Sequence, residues 1–541
     1  MSSLRNRLVL PIVLSGLAAL AGCSSSNSVQ PPPSGAFSNT DFNGTYTFSV
    51  EGSDANGIFM MAGSLTACGC TAGTISGGTV DFDDASGVAP ASAIGNNSTY
   101  HITADGRGTA NLSITPTGGT EFPVTVDFVL TSSSHGLIIR YDTGGSGSGT
   151  IDLQASSVSQ SAIENNPYAF SLSGTFGASS LATVGGFTLS SSGTVSTGVE
   201  DFNYGATPYT ALPITAGSVT VGSGTAPGSA TLTTSFGTIN FDVYAVDATH
   251  LKLIESDGVA LMVGDVFNQP SASIPQGNLV FTMQGFDTSK NEFAVGGLMA
   301  SDGSSLIPNG SEDINDDGTV DGGTTTPYAF SGDFSTVGNG RFLVNLTGFA
   351  GGTSFAAYPS SGGILMLEVD EGLNVGTGNL GVTSGVALAQ TSGAALAATQ
   401  GYGLNNSGED AANSVELDEI GQFTTTSTGL TGILDENDGL TLSAPSINGT
   451  YTAGSNGTGS ATVSSHGLQS IFYYAADSST VLFISTDPNQ AASGVLEAQS
   501  APGGNAHQTS AARPRALPMF RALPHSRKAT PHSQIQVRPA K

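Results

Sequence analysis

The sequence has no tryptophan, only three cysteines and very few basic residues. Of its 14 Lys and Arg residues, five lie between positions 24 and 500, and this same segment holds all 42 acidic residues. Nucleic-acid affinity depends on Lys and Arg side chains that displace counterions from phosphates, so we expect no nucleic-acid partner. A body this acidic is compatible with high solubility and with divalent cations.

Long helical patterns of Ala, Leu, Glu and Lys are also missing. Short apolar runs instead alternate with stretches rich in Ser, Asn, Asp and glycine, of which there are 74. In the first such run, Tyr46, Phe48 and Val50 alternate with small polar residues, which is the period of a half-buried strand. Many short strands joined by tight turns predict an all-β fold.

The N-terminus carries Arg5 and Arg7, then an apolar run over residues 8–20. A basic start, a short apolar run and small residues at the cleavage point predict a signal peptide over residues 1–22. The run ends in Leu20-Ala-Gly-Cys23, which resembles the lipobox of bacterial lipoproteins. That resemblance implies that Cys23 is lipidated, with palmitate among the acyl groups, and becomes the first residue of the mature protein.

Residues 23–43, rich in Ser and Pro, are predicted to be a lipidated tether. The residue after the cysteine is Ser24 and not the aspartate associated with inner-membrane retention, so the resemblance favours the outer membrane or cell surface. Several acyl chains together anchor a protein stably, whereas one chain binds weakly.

One hexapeptide frame, Gly-x4-Gln, recurs and ends at Gln154, Gln269, Gln390 and Gln499. The four glutamines are 115, 121 and 109 residues apart. This spacing predicts four tandem β repeats over residues 44–154, 166–269, 277–390 and 400–499. The position three before each glutamine is apolar, so alternation places the glutamine on the opposite face, at the boundary with the next repeat.

Each repeat contains about eight strand candidates in sequence, which predicts an antiparallel eight-stranded meander. Such a meander closes into a lipocalin-like up-and-down barrel when the last strand pairs with the first. A two-sheet β-sandwich is the alternative. The order of motifs also resembles that of tandem-repeat lipoproteins, mostly uncharacterised, of acidobacterium-like soil bacteria, a resemblance that implies location and repeat count and no activity.

The best ligand motif is Asp313-Ile-Asn315-Asp-Asp317-Gly-Thr-Val-Asp321, which matches the first nine positions of a calcium loop. Asp313, Asn315, Asp317 and Asp321 are therefore candidate calcium ligands. The loop has Thr324 in place of the usual bidentate glutamate, and no flanking helix is expected. The alternative is an acidic hairpin turn, which Asn, Asp and Gly form without an ion.

Other motifs predict no chemistry. Cys68 and Cys70 are either free thiols or a local disulfide, and they lack further ligands for zinc. His135 and His250 occupy equivalent places in the first two repeats but have no counterparts in the others, which favours a role in a turn. No nucleophile elbow, zinc-protease motif or phosphate-binding loop is present.

Residues 500–541 contain seven bases and no acid, and are predicted to be a basic disordered tail. The sequence as a whole predicts a membrane-anchored cell-surface lipoprotein with a structural, adhesive or binding role and no enzymatic activity. Its expected partners are the membrane, through the lipid, and an envelope polysaccharide or another surface protein. The alternatives are a carrier of a small apolar ligand or glycan inside the barrels, and a carbohydrate-active hydrolase.

Overall fold

The computed structural model describes residues 32–287, 291–321, 327–349, 352–370, 381–463 and 468–502. The fold is all-β, as predicted, and consists of four antiparallel sheets that follow one another along the chain. We call them units 1 to 4. Helix within the described residues is limited to α1 (Gln160–Ile163) and two 3-10 turns, Asn39–Asp41 and Ser455–Gly457.

Units 1 and 2 have nine strands each. Unit 1 contains β1 (Asn43–Asp54), β2 (Gly57–Cys68), β3 (Ile75–Asp84), β4 (Gly87–Ile94), β5 (Thr99–Ile102), β6 (Arg107–Thr115), β7 (Phe122–Ser132), β8 (His135–Asp142) and β9 (Gly145–Leu153). Unit 2 contains β10 (Pro167–Phe176), β11 (Ser179–Leu189), β12 (Val195–Tyr204), β13 (Thr207–Pro213), β14 (Ala216–Thr220), β15 (Gly228–Thr234), β16 (Gly237–Ala245), β17 (His250–Glu255) and β18 (Leu261–Asn268).

Units 3 and 4 have the same architecture. Unit 3 contains β19 (Gly277–Phe286), β20 (Glu292–Ser301), β21 (Leu306–Asp316), β22 (Thr319–Asp321), β23 (Tyr328–Gly338), β24 (Arg341–Thr347), β25 (Ser354–Ser360), β26 (Gly363–Glu368) and β27 (Val382–Ala389). Unit 4 contains β28 (Gly401–Asp410), β29 (Val415–Thr425), β30 (Gly429–Asp438), β31 (Thr441–Ser443), β32 (Ser446–Ala453), β33 (Thr458–Val463), β34 (Ser470–Ala475), β35 (Thr480–Ser485) and β36 (Gln490–Ala498).

The last strand of each unit pairs with the first, as predicted. The pairs are β1–β9, β10–β18, β19–β27 and β28–β36. In units 3 and 4 the ladders β20–β21 and β29–β30 complete an eight-stranded barrel, from which β22 and β31 branch as short hairpin strands. Unit 1 is closed by a two-residue pairing of β4 with β6. In unit 2 an isolated bridge between Thr194 and Ser218 spans the corresponding gap. The sandwich alternative is wrong.

Each unit therefore has one strand more than predicted. In unit 1 the unexpected strand is β4, whose sequence is Gly-Val-Ala-Pro-Ala-Ser-Ala-Ile. It contains proline and mostly small side chains, and most of it is exposed or half-buried, so it lacks the alternation that marks a buried strand. Strand β4 pairs with β6 over only two residues. Because few hydrogen bonds are made there, proline and small side chains are tolerated in this strand.

The barrel interiors are filled by side chains from alternate strand positions. The position three before each glutamine lies in these cores, as predicted, and is occupied by Ile151, Val266, Ala387 and Leu496. An apolar residue from the segment before the first strand also enters each core: Phe42, Ile163, Ile274 and Leu396.

This packing corrects the predicted tether over residues 23–43. Phe37 and Phe42 are buried in the core of unit 1, so residues 37–42 belong to that unit. Phe42 stacks on Tyr46 of β1 at a ring-centroid distance of 4.0 Å. The prediction followed the Ser- and Pro-rich composition of this segment and did not assign its two isolated aromatic residues, which cover one end of the barrel, to the core. The predicted starts of the other units are also late, because Ile163, Ile274 and Leu396 lie before them and belong to the cores. The predicted signal peptide, Cys23 and nearly all of the basic tail lie outside the described residues.

The four units form a closed ring. Apolar clusters join unit 1 to unit 2, unit 2 to unit 3, and unit 4 to both unit 3 and unit 1. We name these contacts interfaces 1–2, 2–3, 3–4 and 4–1. Both ends of the described chain lie at interface 4–1, where Pro502 packs near Gly35 and Pro32 near Gly401.

Candidate functional site

The predicted calcium ligands lie on the hairpin of β21 and β22. Asp317 and Gly318 have φ values of +50° and +79°, which suits the two-residue turn between these strands. Asn315 Oδ1 accepts a hydrogen bond from the Gly318 amide at 2.9 Å. Asp313 accepts one from the Tyr474 hydroxyl of unit 4 at 2.7 Å, while Asp321 is exposed. The hairpin thus takes part in interface 3–4, and the calcium hypothesis stays a prediction.

The asparagine of this turn connects two units. Asn315 donates from Nδ2 to the backbone oxygens of Ser485 (2.8 Å) and Gln490 (2.6 Å) in unit 4. Asn203 and Asn437 hold the same place in units 2 and 4. Asn203 donates to the backbone oxygens of Glu368 and Gly381 in unit 3. Asn437 donates to the backbone oxygens of Arg140 and Gly145 in unit 1. The recurring acidic turn is therefore a device that joins neighbouring barrels.

The four repeat glutamines join the same units at a second point, which confirms the predicted boundary role. Each donates from Nε2 to a backbone oxygen of the next unit. The acceptors are Ala245 for Gln154, Pro359 for Gln269, Ala475 for Gln390 and Leu130 for Gln499. The first three bonds measure 2.8 Å, and the fourth, which measures 3.0 Å, runs from unit 4 back to unit 1 and closes the ring.

A buried ion pair crosses interface 2–3. Arg341 of unit 3 makes a two-point contact with Asp201 of unit 2, with Nε–Oδ2 and Nη2–Oδ1 distances of 2.7 and 2.6 Å. The Tyr358 hydroxyl donates to the same carboxylate at 2.5 Å. Both charged side chains are almost completely buried. Arg107 makes an analogous but partly exposed contact with Asp435 across interface 4–1.

A connected set of ionisable side chains spans units 2, 1 and 4. We name it the charge chain, and its members are His250, Asp265, Lys252, Asp152, His135 and Glu497. Lys252 Nζ lies 3.0 Å from Asp152 Oδ2 and 3.4 Å from Asp265 Oδ1. Nδ1 of His135 contacts Asp152 at 2.6 Å and its Nε2 contacts Glu497 at 2.9 Å. His250 Nε2 lies 2.7 Å from Asp265 Oδ1 and is the last member of the charge chain.

His135 and Asp152 stabilise each other's ionised forms. Burial alone lowers the pKa of His135, but Glu497 and Asp152 outweigh it and raise that pKa to about 9. Burial opposes ionisation of Asp152, yet Lys252 and His135 hold its pKa well below the usual value. The stability that Asp152 contributes is present above its usual pKa near 4 and is lost as pH falls further. That of His135 is present below its usual pKa and is lost as pH rises through about 9.

The histidine prediction is wrong in its role. His135 and His250 do lie at strand starts, but the ring of His135 pairs with Asp152 and with Glu497 of unit 4, and the ring of His250 contacts Asp265. Sequence reasoning also missed Lys252, Asp265, Glu497, Asp201 and Arg341. The scarcity of basic residues was the one feature of the sequence that could have marked Lys252 and Arg341 as ion-pair partners. The four basic residues of the body that the structure describes, Arg107, Arg140, Lys252 and Arg341, all form ion pairs.

The remaining candidates are the cysteine pair, a metal site and the barrel interiors. Cys68 and Cys70 form a local disulfide, which settles the open alternative. Within the described ranges, no cluster of three or more His, Cys, Asp or Glu side chains is placed to hold a metal ion. A cavity in the core of unit 4, lined by residues such as Leu404, Phe423 and Leu434, has a volume of about 20 Å³, space for about one water molecule. The packed interiors are unlike the roomy lumen that a small-ligand carrier requires.

Three aromatic rings form a surface cluster on unit 2. Phe202 stacks on Tyr209 at a centroid distance of 4.7 Å, and Phe236 packs edge-on against both at 5.0 and 4.8 Å. Phe236 is 37% exposed and lies in the turn between β15 and β16. Of the tyrosines considered for sugar stacking, Tyr209 and Tyr204 are half-buried, whereas Tyr473 and Tyr474 are buried and belong to the core of unit 4 and to interface 3–4.

No helix within the described ranges is long and apolar enough to cross a membrane. No family model and no curated protein matches the chain. Among solved structures it is similar to an intact transferrin-binding protein B with N and C lobes, at 9% identity and a TM-score of 0.17, over 68% of this chain and 83% of that one. A double mutant of transferrin-binding protein B, a vaccine antigen from Haemophilus parasuis, gives 9% identity and a TM-score of 0.15, over 69% of this chain and 82% of that one. Similarity this weak carries no conclusion about function.

Proposed function

We propose that the protein is a lipid-anchored cell-surface lipoprotein that serves as a rigid, non-catalytic structural or binding element. The observation that carries this proposal is the use of its buried ionisable groups. Lys252, Arg341 and His135 each pair with carboxylates across a contact between units. Charged side chains that a catalytic site would need at a cleft are here used to fix four barrels to one another.

The lipobox at Cys23 supplies the anchoring part of the proposal. Cys23 precedes the first described residue, Pro32, by nine positions, and Pro32 lies at interface 4–1. The lipid would therefore hold the ring by one interface and leave the opposite side, where units 2 and 3 meet, directed away from the membrane.

Changing Cys23 to alanine is expected to abolish incorporation of labelled palmitate and to release the protein from the membrane fraction. The thiol is the acceptor of the diacylglyceryl group in the lipoprotein chemistry that the motif implies. The measurement is palmitate labelling followed by membrane fractionation of cells that express either form. Ser24→Ala is the matched control and should label normally. Membrane association that survives in Cys23→Ala would contradict the lipid anchor.

A second candidate function is binding of a neutral envelope polysaccharide by the aromatic cluster of unit 2. Sugar rings present C–H faces that pack on aromatic rings, and Phe236 exposes such a ring beside Tyr209. The acidic body repels polyanions, which favours an uncharged polymer.

Phe236→Ala is expected to weaken retention on immobilised neutral envelope polysaccharide by about tenfold, equivalent to about 1.4 kcal/mol of lost ring contact. Affinity electrophoresis of the mature chain gives the measurement. Leu442→Ala, at an equally exposed apolar residue of unit 4, serves as the control and should leave retention unchanged. Equal retention of both variants and the unmodified protein would exclude this binding site without affecting the proposal of a lipid anchor.

A further inference from the structure

The acidic turn of interface 1–2 has a different residue from that of the other three interfaces. Asp83 occupies the place that Asn203, Asn315 and Asn437 hold in the later units, two residues after a shared aspartate. An asparagine amide can donate to the backbone oxygens of the neighbouring hairpin, as the three later units show. A carboxylate has no hydrogen to donate, so the same contact cannot form when Asp83 is ionised.

The residue that faces Asp83 across this interface is also an acid. Glu255 ends β17 in unit 2, at the place of Glu368 in unit 3. Asp83 is 1% exposed and Glu255 is 0% exposed. Both oxygens of the Asp83 carboxyl and Oε2 of Glu255 have no hydrogen-bond donor. Oε1 of Glu255 accepts from the amides of Asp257 and Val259. Two acids that face each other with orphaned oxygens can bond only if at least one of them carries a proton.

Further acids surround the pair. Asp83 interacts with Asp81 and Asp84 of β3 and with Glu255 and Asp257 from unit 2. Asp81 in turn faces Asp242 and Tyr244 of β16. Strand β2, which packs beneath, brings Ile58, Met60 and Ala62 against Tyr244, Ile254 and Val263. On β1, Glu51 accepts a hydrogen bond from Ser173 of unit 2. The interface thus combines a small apolar contact with a concentration of carboxyl groups.

We propose that interface 1–2 is a proton-controlled clasp, in which Asp83 and Glu255 are held together by shared protons and separate when both are ionised. Opening of this clasp parts unit 1 from unit 2 while the barrels themselves stay folded. At the other interfaces a neutral asparagine takes the place of Asp83 and donates to the neighbouring unit.

The electrostatics agree with this geometry. Burial, with the neighbouring carboxylates, raises the pKa of Asp83 to about 7. Burial and Asp257 raise that of Glu255 to about 9. A group whose pKa is raised by folding binds its proton more tightly in the closed form. The stabilisation is therefore complete below the usual carboxyl pKa near 4 and is lost as pH rises through about 7 and then about 9.

Other groups respond over part of this range and must be separated from the clasp. His135 of the charge chain loses its proton towards pH 9 and contacts Asp152, which pairs with Lys252 across the same two units. A comparison of Asp83→Asn with the unmodified residue cancels that contribution, because both forms retain His135. The asparagine also restores the donor that the other interfaces use.

The test is thiol accessibility at matched positions of two interfaces in the mature chain. Ala62 of β2 is fully buried at interface 1–2, and Ala182 of β11 is fully buried at interface 2–3. Ala62→Cys and Ala182→Cys each place one thiol there, and the ratio of their labelling rates removes the intrinsic dependence of thiol reactivity on pH. Between about pH 5 and about pH 9 we expect this ratio to rise at least about tenfold, the equivalent of one pKa unit.

In the Asp83→Asn background the ratio is expected to stay flat over the same range. Glu255→Gln provides a second variant, should the first fail to fold, and is expected to flatten the ratio as well. The proposal of a clasp is wrong if the ratio does not rise with Asp83 and Glu255 unmodified. It is also wrong if the ratio rises as much in Asp83→Asn and Glu255→Gln as in the unmodified background. If millimolar calcium at about pH 8 restores full protection of Ala62→Cys, the carboxyls bind a cation and the proton mechanism is wrong.

Discussion

Replacing Lys252 with methionine is expected to lower the free energy of unfolding by about 3 to 5 kcal/mol, the usual result of breaking a buried ion pair from one side. Lys252 is 0% exposed, and its ammonium lies between Asp152 and Asp265 and donates to Thr150 Oγ1 at 3.0 Å. Methionine has a similar length and keeps the packing but leaves two carboxylates buried without this cation. Denaturant unfolding near neutral pH provides the measurement.

The double variant Lys252→Met with Asp265→Asn is the matched control. Asp152 retains His135 as a charged partner, and an asparagine at position 265 removes the second carboxylate. We expect this variant to recover a large part of the lost stability, since a neutral buried amide costs less than an unbalanced carboxylate. If the single and double variants are equally unstable, the effect comes from packing and not from charge.

Arg341→Met is the second substitution with a large expected effect, again about 3 to 5 kcal/mol, because Asp201 is 0% exposed and loses its two-point partner. Its loss acts on interface 2–3, so we expect units 2 and 3 to melt at a lower temperature in calorimetry. Adding Asp201→Asn should restore part of the loss, since Tyr358 and the Ala211 amide can still bond to the new side chain.

Arg107→Met gives the corresponding control at interface 4–1. Arg107 also bridges two units, but 14% of its side chain is exposed and water can solvate the carboxylates that it leaves. We expect a loss several-fold smaller than for Arg341→Met. Equal losses would show that burial of the ion pair does not set its contribution.

Much of the fold was predictable because it depends on local patterns. The alternation of Tyr46, Phe48 and Val50 defines a strand, and the glutamine frame marks the last strand of every unit. Strand β4 was missed because it lies beside the gap of the barrel, where little of it is buried. Phe37 and Phe42 were missed because single aromatic residues in a Ser- and Pro-rich segment carry no periodicity.

The contacts between units were predictable only in part. The glutamines and the acidic turns recur at equivalent places, so their common role could be inferred from the repeat itself. Lys252, Asp265 and Arg341 occur once each, and their partners Asp152 and Asp201 are distant in sequence. No pattern along the chain shows which of many acids faces a given base. Their scarcity is the one feature of the sequence that sets the bases apart.

The closed order of the units has a consequence for repeat architecture. In a linear array, the first and last repeats each expose a face made for a neighbour, and special capping repeats must cover it. Here Gln499 docks on unit 1 with the same contact that Gln154 makes on unit 2, so each of the four described units has a neighbour on both sides. Loss of any one barrel therefore removes two sets of contacts and leaves both of its neighbours with an uncovered face.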